Sequence, residues 1–74
     1  MATTDVYAPM VGKVIELLIA PGEEVEEDEP ILLIEALKMK MPVVSPVDGV
    51  LDAWHVEAGD DVESDTLLAA IADE

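Results

Sequence analysis

The stretch "ILLIEALKMKMP", residues 31 to 42, decides how this chain folds. Residues 31–40 are almost all good helix formers, so propensity by itself reads a helix. The flanks argue against one. Pro30 and Pro42 leave only eleven residues between them, and proline breaks a helix interior by removing a donor and clashing with the preceding turn. A comparable apolar run, "LLAAIADE" at residues 67–74, reads as a strand. The better reading of 31–42 is a β-hairpin with its tip near Leu37, Lys38 and Met39.

Working outward, the sequence repeats. Residues 1–37 laid over 38–74 without a gap give eight identities: Val6 with Val43, Pro9 with Pro46, Gly12 with Gly49, Gly22 with Gly59, Val25 with Val62, Glu26 with Glu63, Asp28 with Asp65 and Ile34 with Ile71. Composition alone would give roughly three. Each copy reads as an opening strand ("TTDVY", "KMPVV"), a Pro/Gly turn ("APMVG", "SPVDG"), a second strand ("KVIELLI", "VLDAWHV"), an acidic connection ("APGEEVEEDEP", "EAGDDVESD") and a closing strand ("ILLIEA", "LLAAIA"). Gly22 and Gly59 occupy matching turns and are expected to supply positive φ. Short strands at even spacing predict an all-β sandwich or flattened barrel of eight strands forming a single domain over 1–74. Lys38 opens the second copy, so a pseudo-twofold relation sets it against Met1. The termini are expected together at the end opposite Lys38.

Composition narrows the function. Eighteen acidic side chains face three lysines and no arginine, for a formal net charge of -15. Nucleic acid and anionic lipid are bound chiefly through Lys and Arg, so neither is expected as a partner. Protein partners should present basic surfaces. There is no cysteine to form a disulfide or a thiolate metal site. The N-terminal "MATTDVYAPM" has no basic then apolar leader pattern, and no stretch reaches the ~18 apolar residues of a membrane span. The expectation is a protein of the cytoplasm, without membrane insertion.

The segment "EALKMKM" within "ILLIEALKMKMPVVSPVDGVL" resembles the attachment site of biotin carboxyl carrier proteins and biotinyl domains, whose usual pattern is Glu-Ala-Met-Lys-Met. The resemblance extends over nearly the whole chain, through "APMVG", "SPVDG" and "PGEEVEEDEPILLIEA". It implies two four-stranded antiparallel sheets with quasi-twofold symmetry. It also implies biotin bound covalently to Lys38, with Glu35, Ala36, Leu37 and Met39 read by a biotin protein ligase. Leu37 stands where the family usually has methionine, a mild change in volume. The implied role is a carrier moving a carboxyl group between the sites of a biotin carboxylase and a carboxyltransferase. No catalysis of its own is expected.

The remaining candidates are weaker. Lys40 reads as a strand residue relieving local negative charge, and His55 has no second ligand at metal spacing. "EEVEEDE", residues 23–29, lacks the pattern of a calcium loop and reads as a solvated turn. Two rival functions stay open: a lipoyl carrier domain, which uses the same swinging-lysine logic, and an unmodified acidic interaction module.

Overall fold

The structure, a computed structural model, describes residues 2–73. Eight strands form: β1 (Ala2–Tyr7), β2 (Gly12–Leu17), β3 (Glu24–Val25), β4 (Pro30–Ala36), β5 (Met39–Val44), β6 (Gly49–Trp54), β7 (Asp61–Val62) and β8 (Leu67–Asp73). They make two four-stranded antiparallel sheets, ordered β1-β8-β6-β3 and β5-β4-β2-β7. The all-β reading therefore holds. So does the hairpin reading of residues 31–42, which become β4, a turn and β5.

Six of the eight strands fall on the segments expected from sequence. The other two, β3 and β7, lie inside the acidic connections. They are two residues long, too short for alternation to show, and each buries one valine, Val25 or Val62.

Advancing every strand by four positions turns one sheet order into the other. The rung Ala36↔Met39 corresponds to Asp73↔Ala2, and the irregularity between Val14 and Glu16 corresponds to that between Leu51 and Ala53. Turn contacts repeat as well. The Gly22 N–H donates to the Leu51 carbonyl at 2.8 Å and the Gly59 N–H to the Val14 carbonyl at 2.7 Å. Both glycines have positive φ, 94° and 99°. The expected placement of Met1 and Glu74 lies outside the described residues; next to them, Ala2 pairs with Asp73.

The core between the sheets is aliphatic. Ile31, Leu32, Ile34, Leu51, Leu68 and Ile71 are its largest fully buried side chains. Ile31 and Leu68 are the extra residues at β-bulges, since Pro30 and Leu32 pair with Val44 and Val43, and Tyr7 and Val6 with Leu67 and Ala69. A bulge lets two successive residues face inward, which is why Ile31 and Leu32 are both buried. No helix of the described residues is long and apolar enough to cross a membrane.

Candidate functional site

The β4–β5 hairpin closes in two residues. Ala36 pairs with Met39 on the last rung, and Leu37 and Lys38 form the turn. Met39, placed near the tip by the sequence, is already the first residue of β5. Leu37 has φ 53° and Lys38 φ 65°. Positive φ at both central positions is what a type I′ turn requires, and such turns favour Asn-Gly. A leucine and a lysine held there cost roughly 1–2 kcal/mol each relative to glycine. Strain of this kind persists where the surrounding structure enforces it, and it concentrates at functional sites. The two other non-glycine residues at positive φ, Asp28 and Asp65, are repeat counterparts of each other; Leu37 and Lys38 have no such pair among the described residues.

Side chains at the turn point into solvent. Leu37 is 89% exposed, Met39 65%, and Lys38 and Glu35 are also exposed. Ala36 is buried and anchors the end of the ladder. The sequence-predicted residues Glu35, Ala36, Leu37, Lys38 and Met39 therefore come together on one rigid hairpin. Lys38 occupies its apex, and Lys40 lies one rung behind, opposite Glu35.

One neighbour escaped the sequence reading. Gly12 lies flush against β4, so that a Cβ there would sit 2.8 Å from the Glu35 carbonyl oxygen and against the Ile34 side chain. Lys13 pairs with Glu35, two residues before Leu37, and Val11 stands two residues before Lys13 on the antiparallel strand's approach. Val11 is 66% exposed. A signal for it existed in the repeat, because its counterpart is Asp48. The two copies differ here: Val11 is apolar and exposed, whereas Asp48 accepts from the Glu27 N–H at 2.7 Å.

Elsewhere the chemistry is sparse. His55 is exposed and follows the last residue of β6, and residues 26–28 are exposed in a turn in which the Glu27 N–H donates to Asp48 Oδ1 at 2.7 Å. Among the described residues no group of three His, Cys, Asp or Glu is placed to hold a metal ion. An open, mainly apolar cleft of about 420 Å³ lies on the pseudo-twofold axis, between Val6, Tyr7 and Pro9 and their counterparts Val43, Val44 and Pro46. At its rim the Tyr7 hydroxyl donates to Asp5 Oδ2 at 3.2 Å. The negative charge of Asp5, foremost, and this hydrogen bond raise the Tyr7 pKa above its ordinary value.

An exposed primary amine on a strained, two-residue turn is suited to being acylated and carried, because it reaches out without drawing the sheet along. Comparisons with known proteins cover nearly the whole chain. A family model described as "Biotin-requiring enzyme" matches residues 4–71. The "Biotin carboxyl carrier protein of acetyl-CoA carboxylase" of Solanum lycopersicum is 37% identical over 68 residues, covering 92% of this chain and 97% of that protein. Among solved structures, the urea carboxylase of Kluyveromyces lactis superposes with a TM-score of 0.92 at 28% identity, covering 97% of this chain and 6% of that one. The lipoyl domain of the 2-oxoglutarate dehydrogenase complex from Azotobacter vinelandii superposes with a TM-score of 0.78 at 35% identity, covering 93% of this chain and 95% of that one.

Proposed function

This chain belongs to the family of biotin- and lipoyl-attachment domains matched over residues 4–71, and we propose that it is a biotin carboxyl carrier whose cofactor is amide-linked to Lys38. The observation that carries the reading is the placement of Lys38 at the exposed apex of the turn, with Glu35, Ala36, Leu37 and Met39 around it as the residues a biotin protein ligase reads. Residues 1–74 act as a single carrier domain.

The chemistry follows from the amine. The neutral Lys38 Nζ attacks the acyl carbon of biotinyl-adenylate; the amide C–N bond forms, the C–O bond to phosphate breaks, AMP leaves and a proton is lost. The lysyl stem and the valeryl chain together reach on the order of 14 Å. When bound, biotin supplies the nitrogen that accepts and releases the carboxyl group. The chain supplies reach, an acidic body for docking and a rigid base for the arm. Partner enzymes, a biotin carboxylase and a carboxyltransferase, supply the catalysis, in the cytoplasm.

Fold does not separate biotin from lipoate, as the Azotobacter vinelandii lipoyl domain illustrates. The residues beside the lysine do: lipoyl sites usually read Asp-Lys-Ala, whereas here Leu37 and Met39 flank Lys38. Incubation with a biotin ligase, ATP and biotin, followed by intact-mass measurement and peptide mapping, tests the reading. One biotinyl group on Lys38 is expected. Modification by a lipoate ligase with lipoate, and none by the biotin ligase, would overturn it.

A further inference from the structure

Four charged residues cross the outer face of the sheet that carries Lys38. Lys40 of β5 lies directly opposite Glu35 of β4, Glu35 opposite Lys13 of β2, and Lys13 opposite Asp61 of β7. All four are exposed. Residues directly opposite on neighbouring strands share a face, so the row reads plus, minus, plus, minus over about 14 Å. It lies one rung behind the rung that closes the turn, roughly 7 Å along the strand from Lys38.

The scaffold does not require this row. Its counterpart on the other sheet, Thr3, Ala72, Val50 and Glu24, is paired in the same way and holds a single charge. All the basic residues of the chain stand in the row or at the turn. Within the row the charges cancel and Lys38 adds one, so these five residues carry +1 while the rest of the chain carries -16.

We propose that the row is a docking strip read by the ligase that acylates Lys38, which makes Lys13 and Asp61 recognition residues although they lie far from residues 35–39 in sequence. The proposal rests on the reading of Lys38 as the attachment site. An enzyme enclosing the Lys38 amine must cover the rungs just behind it. A uniformly basic surface, drawn in by the acidic body, meets two lysines there; a surface with charges in the opposite phase meets a partner at each step. Patterned charge of this kind sets orientation and excludes wrong partners more than it adds affinity.

The test exchanges charge without changing its total. Lys13→Glu combined with Asp61→Lys keeps the net charge and reverses the outer half of the row. With a biotin ligase, ATP and biotin, KM for the protein should rise about fivefold at low salt with kcat unchanged, and the difference should shrink as salt rises. Val50→Lys combined with Ala72→Glu, which writes charge into the counterpart row, should leave KM unchanged. If the reversed protein melts early, Lys13→Gln with Asp61→Asn carries the same prediction. Equal KM for wild type and both row variants, or an equal rise from the counterpart pair, overturns the strip. The reading of Lys38 fails separately, by the absence of any label on the wild type.

Discussion

The hairpin end of the molecule and its counterpart share one ladder and differ in what decorates it. At the hairpin end the rung Ala36↔Met39 is closed by Leu37 and Lys38, and an exposed Val11 stands two residues before Lys13, the partner of Glu35. At the counterpart, Asp73 and Ala2 form the same rung from strands at opposite ends of the sequence. There the Thr4 hydroxyl donates to Asp73 Oδ2 at 2.9 Å, where the hairpin end has Met41 and Ala36. Among the described residues one end holds Ala2, Thr4 and Asp73; the other exposes Leu37 and Met39 on either side of Lys38, and Val11 on β2's approach. The same rung forms at both ends, one in each sheet, so what sets the hairpin end apart is its exposed apolar residues and its amine.

The largest effect is expected from Lys38→Arg. Arginine keeps charge and length and lacks an acylable amine at neutral pH, so labelling should fall below detection in the biotin-ligase assay. A turn side chain adds little to the core, and the melting curve should be unchanged within about 0.5 kcal/mol. Label surviving on Lys40 would mean that the two-residue turn is not what selects the lysine.

Next come the glycines that start β2 and β6. A Cβ on Gly49 would press into the Ala72 carbonyl oxygen and lie 2.8 Å from Ile71 Cγ2; a Cβ on Gly12 would meet the Glu35 carbonyl at 2.8 Å and the Ile34 side chain. Backbone cannot step aside cheaply, so Gly49→Ala and Gly12→Ala should each lose about 2 kcal/mol in urea unfolding. Only Gly12→Ala should also slow modification of Lys38, because it displaces β2 from the hairpin. Equal labelling rates for the two folded variants would uncouple Val11 from the site.

How much of this was legible in the sequence is itself uneven across the two ends. The repeat marked Gly12 with Gly49 and Gly22 with Gly59, and with them the turns. The hairpin followed from Pro30 and Pro42, and the attachment motif singled out Lys38. Hidden were β3 and β7, whose two residues carry no period, and the bulges at Ile31 and Leu68 that disguise strand alternation. Val11 and Asp61 were hidden for another reason. The pairing of β2 with β4 and β7, which brings Asp61 into line with Glu35 and leads Val11 toward the hairpin, joins strands distant in sequence, and a linear motif cannot record it. The copies disagree at Val11 and Asp48, one apolar and one acidic at the same repeat position.

Two smaller changes sharpen the contrast. Val11→Asp writes the counterpart's residue into the hairpin end. It should leave stability unchanged and raise KM for the ligase about threefold, an effect expected for a peripheral apolar contact. Lys38→Gly relieves positive φ at the turn and should stabilise the domain by about 1 kcal/mol, or roughly 4–8 °C in melting temperature. A melting temperature that does not rise would mean the turn is not strained.

The smallest effect separates Tyr7 from its counterpart Val44. Tyr7 is 52% exposed, and its hydroxyl donates to Asp5, whereas Val44 follows Pro42 at the equivalent place. The Asp5 charge and this bond, with slight desolvation and the Asp65 charge, hold the Tyr7 pKa above 10.0 in the fold. The folded state therefore keeps a proton that the unfolded chain gives up near pH 10. The resulting stabilisation is fully present below about pH 10 and is lost as pH rises through the raised pKa. Tyr7→Phe removes that titration, so the melting temperature of wild type relative to Tyr7→Phe should be highest below pH 10 and decline above it. Val44→Tyr, with Pro42 where Tyr7 has Asp5, should show phenolate absorbance appearing at lower pH than Tyr7 in a Tyr7→Phe background. Coincident titrations would mean that the carboxylate of Asp5, which Pro42 replaces at the counterpart position, does not act on the ring.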